Sequence, residues 1–202
     1  LSNANFVVST DWTYVGPKSK CDANPCAEGF WCIEQKSEAL YECIDPVKAV
    51  CKPLGMESGK ILDSAIKASS AFGSNYVPHH GRLNLNRGGC GWGPTNAGIN
   101  TAWIRVNLGD TMSVTGVATQ GRCNTISKHW VTSYTVSYSV DGRDWKFLME
   151  SDTPKVFTGN TDSTTVVTHG FKNPIIARYI KISPQSHASA PVLRMELYTG
   201  CY

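Results

Sequence analysis

The chain alternates between apolar and polar residues over much of its length, with the two-residue period of a β-strand. The segment WIRVNLG at 103–109 places Ile104, Val106 and Leu108 on one face. Other segments of this kind are rich in Val, Ile, Thr and Tyr and are bounded by Gly, Pro, Asn or Asp; they lie at 113–121, 134–142, 155–159, 164–170, 177–184 and 192–198. Many short strands with frequent turn signals predict an all-β sandwich or barrel.

Two local signals add detail to this pattern. Asp141 and Gly142 form a pair that is typical of tight hairpin turns. Only the segment SGKILDSAIKASS at 58–70 indicates a helical turn. We therefore expect the chain from Cys51 onward to consist almost entirely of strands and loops.

The N-terminal part of the chain differs from the rest in its cysteine content. Cys21, Cys26, Cys32 and Cys43 lie in a segment too short to enclose a hydrophobic core, so disulfides must hold it together. Asp45 and Pro46 mark a linker after this segment. The predicted divisions are an N-terminal segment at 1–20, a small module at 21–46 and a large domain at 51–201.

Cys51 and Cys201 lie at the two ends of the large domain. A disulfide between them would close a loop of about 150 residues, and a chain-entropy estimate gives it roughly 4–5 kcal/mol of stabilisation. We therefore predict that this bond links the two ends of one domain.

Composition and charge restrict the function classes. The chain has 202 residues, of which 41% are hydrophobic and 17% charged, as in an ordinary globular protein. Residues 1–50 hold four basic and seven acidic residues, and residues 51–202 hold fifteen basic and nine acidic residues, so the local net charges are −3 and +6. A mildly basic large domain is compatible with anionic glycans, anionic lipid or acidic proteins. The sequence lacks the Lys/Arg cluster typical of nucleic-acid binders.

The eight cysteines indicate the cellular compartment. An even number of cysteines in loop-like segments favours four disulfides and an oxidising environment, so we expect a secreted, extracellular protein. A zinc site is the alternative, but no CxxC pair supports it.

The cysteine spacing at 21–43, C-x4-C-x5-C-x10-C, resembles the first two-thirds of an epidermal-growth-factor-like module. The resemblance implies the pairs Cys21–Cys32 and Cys26–Cys43. The last two cysteines of that family are missing here, and so are the acidic residues of its calcium-binding members. We therefore expect a truncated module without calcium.

A set of segments along the large domain carries a family resemblance: CKPLGMESGKILDSAIKASS (51–70), HGRLNLN (80–86), TAWIRVNLG (101–109), VTGVATQGR (114–122), YTVSYSVDGRDW (134–145), KVFTGNTD (155–162), PIIARYIKISP (174–184) and LRMELYTGC (193–201). In their order and spacing they resemble the discoidin family, also called the coagulation factor V/VIII C-type domain. The resemblance implies an eight-stranded discoidin jelly-roll β-sandwich with the Cys51–Cys201 bond, and a ligand surface on the loops at the opposite end.

Several structural roles follow from the resemblance. Trp103 and Trp145 are expected in the core. Arg82 and Arg194 are expected to be buried and held by carboxylates or carbonyls. Cys90 and Cys123 lie in two loops that the family brings together, as in its retinoschisin-like branch. We predict that these two cysteines form a disulfide between binding loops.

The binding loops are expected at 71–80, 86–101, 122–130 and 184–191. Their polar donors beside an aromatic ring suit a sugar, and they equally suit a protein ligand. Phe72 lies where the collagen-binding discoidin receptors have a tryptophan, so collagen or another matrix or receptor protein is the second possibility. The candidate residues are Phe72, Tyr76, His79, His80, Asn86, Arg87, Trp92, Asn96, Arg122, Asn124, His129 and His187.

Binding to phosphatidylserine or another anionic membrane is the alternative function. Relatives of that kind carry apolar pairs at the tip of a long first loop, but the first loop here is short. Only Ile126, beside Lys128, has the character of a membrane-inserting residue.

Metal binding and catalysis receive little support. Asp63 with neighbouring carbonyls is a weak candidate for calcium, because a single acid makes a poor calcium site. His187 near His79, His80 and His129 could form a pH-sensitive or metal-binding patch. No catalytic constellation or phosphate-binding loop is recognisable, so we expect a non-enzymatic adhesion or lectin-like protein without a cofactor.

Overall fold

The computed structural model describes residues 51–123, 126 and 128–200, and the backbone of two strands before them. These strands, β1 (Trp31–Glu34) and β2 (Tyr41–Ile44), pair antiparallel with Cys32 opposite Cys43. The rest of the predicted growth-factor-like module and the pairs Cys21–Cys32 and Cys26–Cys43 lie outside the described residues.

The large domain is all-β. Among the described residues, eight of its strands belong to one connected sheet: β3 (Lys52–Pro53), β4 (Ile66–Ala68), β5 (Ile104–Gln120), β6 (Val131–Ser139), β7 (Lys146–Phe147), β10 (Val156–Thr158), β11 (Val167–His187) and β12 (Arg194–Thr199). Their order is β10-β6-β11-β5-β12-β3, with β4 paired to β5 and β7 paired to β6. A separate pair consists of β8 (Met149–Glu150) and β9 (Thr153–Pro154).

Two long strands connect the two layers of the sandwich. The first half of β11 pairs with the second half of β5, and its second half pairs with the start of β5 and with β6. The register shifts between Gly170 and Ile175 and again between Ala177 and Tyr179, but each strand continues past these irregularities. Separate strands were predicted at 103–109 and 113–121, and again at 164–170 and 177–184. Each predicted pair is one strand, because β5 and β11 pair with each other on both sides of the register shifts.

The core lies between the layers and contains the inward-facing residues of these strands. Ile104 and Val106 of β5 and Ile180 and Ile182 of β11 are completely buried. Burying each such side chain contributes about 1.5–3 kcal/mol relative to leaving it in water. Four short 3-10 helices, at Asp63–Ala65, Ser74–Tyr76, Pro78–Gly81 and Asn96–Thr101, shape the connections around the core.

A buried carboxylate anchors the segment that follows β3. Glu196 of β12 is fully buried, and it accepts hydrogen bonds from the backbone N–H groups of Gly55 (3.2 Å), Met56 (3.0 Å) and Glu57 (2.9 Å). A buried charge is tolerated only when hydrogen bonds of this kind replace its water shell. The sequence analysis did not single out this residue.

The two arginines predicted to be buried are buried, and carbonyls and a carboxylate hold them. Arg82 donates to the carbonyl of Met56 at 2.8 Å and to the carboxylate of Asp63 at 2.5 Å. Arg194 donates to the carbonyl of Gly121 at 2.6 Å, and burial lowers its pKa to about 10. Both arginines therefore stabilise the fold, as predicted.

Trp103 and Trp145 were expected in the core, and this expectation is wrong. Both are only partly buried. Because Ile104 and Val106 face inward, the alternation of the strand places Trp103 on the outer face of the sheet. Trp145 lies on this outer side too, with the ammonium of Lys181 3.6 Å from its ring centroid.

The two ends of the large domain meet in a strand pair. Lys52 of β3 lies opposite Thr199 of β12, so Cys51 lies next to the end of the chain. Cys51 is disulfide-bonded. Cys201 is outside the described residues, so the predicted Cys51–Cys201 bond stays a prediction. Within the described part of the chain, no helix is long and apolar enough to span a bilayer.

Candidate functional site

A disulfide joins two of the four predicted binding loops. Cys90 and Cys123 are bonded, with their Cα atoms 5.3 Å apart, as predicted. The bond connects loop 86–101 to loop 122–130. It restricts how far the two loops can move apart, which lowers the entropy that they lose on binding a ligand.

The first loop packs closely against loop 86–101. The N–H of Phe72 donates to the carbonyl of Gly93 at 2.9 Å, and the N–H of Gly89 donates to that of Asn75 at 2.7 Å. A Cβ atom on Gly89 would lie only 2.6 Å from the ring of Tyr76. Only glycine lets the backbone lie this close to the ring, so this contact depends on the residue type.

Three side chains from these loops form an aromatic and cationic cluster. The rings of Phe72 and Tyr76 meet edge to face with their centroids 6.0 Å apart. The guanidinium of Arg122 lies 5.6 Å from the centroid of Tyr76. Phe72 is 53% exposed, whereas Tyr76 is half-buried. We call Phe72, Tyr76 and Arg122 the loop cluster.

Trp92 was expected to offer its ring to a ligand, and the structure contradicts this. Its side chain is completely buried in the core. The indole N–H donates to the carbonyl of Ser70 at 2.8 Å, and the backbone pairs with Leu193. A Cβ atom on the preceding Gly91 would lie 2.5 Å from the side chain of Val192, so a larger residue there would hold the backbone away. Trp92 is therefore a structural residue.

Two of the predicted histidines lie together beside the first loop. The rings of His79 and His80 are 4.8 Å apart, and Nδ1 of His80 donates to the carbonyl of Asn75 at 2.7 Å. Burial lowers the pKa of His79, although the Asp63 carboxylate, 4.0 Å away, opposes this shift.

The other two histidines have different surroundings. Nδ1 of His129 lies 3.5 Å from the guanidinium of Arg122, and burial, reinforced by this cation, lowers the pKa of His129. His187 is exposed at the end of β11. Among the described residues, no three His, Cys, Asp or Glu side chains are grouped so as to hold a metal ion. The four histidines therefore form no metal-binding group there. The Asp63 carboxylate accepts a hydrogen bond from Arg82, and calcium at Asp63 stays a weak prediction.

Loop 122–130 carries an exposed apolar side chain, and contacts with loop 184–191 hold its second half. Ile126 is 92% exposed, and Lys128 is exposed near it in sequence. The carbonyl of Lys128 accepts a hydrogen bond from the N–H of Ser189 at 2.8 Å, and His129 forms a bridge with Ala190. Loop 184–191 thus supports the position from which Ile126 extends. Asn124 lies outside the described residues.

A small polar pocket lies between loop 86–101 and the end of β11. Its volume is about 370 Å³. The pocket is lined by Ile99, Asn100, Pro184, Gln185, Ser186 and His187. Of these residues, the sequence analysis named only His187 as a candidate, because the alternating pattern gave no signal for the others.

Three further candidate residues, Asn86, Arg87 and Asn96, are exposed on loop 86–101.

Comparison with known proteins gives consistent matches. Residues 65–197 match the F5/8 type C domain. Neuropilin-1 of Xenopus laevis is 34% identical over 186 residues, which cover 89% of this chain and 19% of that protein. Human coagulation factor VIII is 38% identical over 154 residues, which cover 74% of this chain and 6% of that protein. The chain therefore spans a fifth or less of these relatives.

Solved structures match the fold. Discoidin II of Dictyostelium discoideum superposes with a TM-score of 0.59 at 26% identity, covering 66% of this chain and 54% of its own. A family 32 carbohydrate-binding module from C. perfringens NanJ, solved in complex with galactose, gives 0.51 at 21% identity and covers 69% of this chain and 97% of its own. The second match supports the fold alone.

Proposed function

Because this chain belongs to the F5/8 type C, or discoidin, domain family, we propose that it is a secreted recognition protein that binds an extracellular protein through its loop end. Ligand binding in general agrees with its relatives. The proposed ligand is a matrix or receptor protein such as collagen. The proposed role is binding, with no chemistry on the ligand.

The loop cluster is the observation that carries this proposal. An exposed phenylalanine ring, supported by Tyr76 and Arg122, lies on the first loop. Backbone hydrogen bonds join this loop to loop 86–101, which the Cys90–Cys123 disulfide connects to loop 122–130. Aromatic residues and arginine are enriched among the residues that dominate protein interfaces. A cluster whose loops are already fixed loses little entropy when a partner covers it.

The surroundings of the rings favour a protein over a sugar. Stacking on a sugar needs an accessible ring face, and Trp92 is completely buried. Gly89 and Arg122 lie against the ring of Tyr76. Phe72 is therefore the most accessible ring of the loop cluster. A single phenylalanine suits an apolar pocket or ridge on a protein partner.

Ile126 supports a second candidate function, binding to an anionic membrane. An isoleucine that is 92% exposed buries almost none of its surface within its own domain. Insertion beneath lipid headgroups would remove this side chain from water, and the exposed Lys128 would contact the headgroups. The two functions use different residues, so they can be separated.

The test compares Phe72→Ala with Phe147→Ala. Phe147 has similar exposure, 46%, but lies on β7 at the edge of the sheet. Binding to immobilised collagen, a glycan array and phosphatidylserine vesicles is measured at physiological salt. We expect Phe72→Ala to weaken collagen binding at least about tenfold, as for an interface hot spot, and Phe147→Ala to leave it unchanged.

The variant Ile126→Asp distinguishes membrane binding from protein binding. If only vesicle binding is present and this variant abolishes it, the second candidate is correct and the first is wrong. Glycan binding that depends on Phe72, without collagen binding, would also reject a protein ligand. If Phe72→Ala and Phe147→Ala changed collagen binding equally, the loop cluster would not be the binding site.

A further inference from the structure

Three cations lie side by side on the outer face of the sheet. Lys67 of β4 is directly opposite Arg105 of β5, and Arg105 is directly opposite Lys181 of β11. We call these three residues the cationic row. They come from distant parts of the sequence, so no cluster of basic residues is visible along the chain. Adjacent strands are about 4.8 Å apart, so the outer two backbones are about 10 Å apart.

This arrangement is electrostatically unfavourable in the isolated protein. Like charges directly opposite each other in a sheet repel. Among the described residues, the ion pairs involve Asp63 and Glu150, and no carboxylate lies within 4.0 Å of any member of the cationic row. Burial lowers the pKa of the Lys181 ammonium, and the neighbouring Arg105 lowers it further. The repulsion is therefore not neutralised by carboxylates of the described domain.

Aromatic rings hold two of these cations in place. The guanidinium of Arg105 lies 5.8 Å from the ring centroid of Trp103 and 5.6 Å from that of Tyr179. The ammonium of Lys181 lies 5.5 Å from Trp103 and 3.6 Å from Trp145. A cation over an aromatic ring is stabilised by the quadrupole of the ring and keeps its full charge. The rings thus fix the positions of the two cations, but no negative charge of the described domain neutralises them.

We propose that the cationic row binds an extended sulfated polysaccharide on the outer face of the sheet, as a second binding surface in addition to the loop end. Charges that repel each other in a line across three strands are complementary to a chain that carries several anionic groups in a line. Counterions released from such a chain contribute to its affinity for a row of cations.

The aromatic rings favour a polysaccharide over a membrane surface. Trp103, Trp145 and Tyr179 are partly buried beside the cations, and Arg105 and Lys181 are themselves only partly exposed. A single polymer chain can lie along side chains that are set among rings, whereas a flat bilayer contacts those that protrude. The rings also offer apolar edges to the C–H groups of sugars.

Heparin is the probe for this proposal, with calorimetry and salt-gradient elution of the whole chain as measurements. The triple variant Lys67→Gln, Arg105→Gln, Lys181→Gln removes three charges from the row. The control variant Lys52→Gln, Lys60→Gln, Lys172→Gln removes three exposed charges elsewhere. Lys67→Gln alone, at an exposed position, serves as a variant with minimal risk to folding.

We expect the row variant to lose at least tenfold in affinity and to show a shallower dependence on salt, by up to about one unit of logarithmic slope for each contact removed. Lys67→Gln should show a smaller loss in the same direction, and the control variant should bind as the original chain does. Phe72→Ala should retain heparin binding, which separates this surface from the loop end.

Three outcomes would overturn the proposal. The first is the absence of heparin binding at physiological salt. The second is an equal loss in the row and control variants, which would assign binding to net charge alone. The third is that the row variant loses binding to phosphatidylserine vesicles but keeps its affinity for heparin, which would make the face a membrane contact.

Discussion

Trp92 and Phe72 lie in neighbouring loops of the same end of the domain, but their surroundings differ completely. Trp92 is 0% exposed and donates a hydrogen bond to the carbonyl of Ser70. Phe72 is 53% exposed and touches one edge of its neighbour, Tyr76. Burial thus assigns the first residue to stability and leaves the second available to a ligand.

We expect Trp92→Phe to lower the free energy of unfolding by about 2–4 kcal/mol. The variant leaves the partly buried carbonyl of Ser70 without its indole donor and opens a void beside the smaller ring. Phe72→Ala should change the free energy of unfolding by no more than about 0.5 kcal/mol, as for most surface positions. Urea denaturation monitored by far-ultraviolet circular dichroism measures both. If Trp92→Phe left the free energy of unfolding unchanged but abolished ligand binding, Trp92 would be a ligand-binding residue and its assignment as a structural residue would be wrong.

The hairpin between β6 and β7 is an element whose turn depends on one carboxylate. Asp141 accepts hydrogen bonds from the N–H of Arg143 at 2.8 Å, from the N–H of Asp144 at 3.0 Å and from the hydroxyl of Ser139 at 2.9 Å. Gly142 has φ of +78°, in the left-handed region that such a turn requires. The predicted Asp-Gly turn is therefore present, with a longer connection than the tightest hairpins.

The hydrogen bonds to Asp141, led by that from the backbone of Arg143, lower its pKa from 3.8 to about 2. Between these two values the unfolded state binds more protons, so we expect stability to rise with pH there and to be lost as pH falls toward 2. Asp141→Asn, which keeps an acceptor oxygen, should remove this part of the pH dependence. Urea denaturation at several pH values measures the slope.

Asp110→Asn provides the control for the hairpin. Asp110 is exposed, and the structure gives its side chain no hydrogen bond among the described residues. This variant should keep the slope of the original chain. If Asp141→Asn and the original chain lose stability in parallel below pH 4, the turn contributes nothing to acid sensitivity.

At the scale of the whole molecule, the two ends of the domain meet in a strand pair, and the proposed binding loops are a separate feature of the fold. The pairing of β3 with β12 brings the chain near Cys51 beside the chain end. The Cys90–Cys123 disulfide connects two of the proposed binding loops. The cationic row lies on the outer face of one layer, so the proposed polysaccharide and protein ligands contact different surfaces.

Peptide mapping of the unreduced protein by mass spectrometry tests this architecture. We expect one peptide pair that contains Cys51 and Cys201, and a second that contains Cys90 and Cys123. The loop of about 150 residues closed by the first bond gives roughly 4–5 kcal/mol on a chain-entropy estimate, so Cys51→Ser with Cys201→Ser should lower the unfolding temperature markedly. A bond from Cys51 to any other cysteine would refute the predicted closure.

The same map tests the N-terminal module. The pairs Cys21–Cys32 and Cys26–Cys43 are expected from its resemblance to the growth-factor-like family. Other pairings among these four cysteines would reject that resemblance and leave the large domain unaffected.

The sequence by itself determined the class of the fold, because alternation with period two identifies strands, and the strands here carry this pattern clearly. It also predicted the hairpin at Asp141, and the family resemblance predicted the buried roles of Arg82 and Arg194. The binding loops stay a prediction. The Cys90–Cys123 bond followed from the family resemblance, which relates loops that are distant in sequence.

Only the tertiary structure decided which aromatic residues are buried and which cations are neighbours. Alternation shows that Trp103 and Ile104 face opposite sides of a strand, but not which side another layer covers. Trp92 lies in a loop without any period, so its burial depends entirely on packing against distant residues such as Ser70. The cationic row exists because strand register places Lys67, Arg105 and Lys181 opposite each other. In a hairpin a short turn fixes the register. No short turn joins these three strands, so the side chains that lie opposite each other become known only in the assembled sheet.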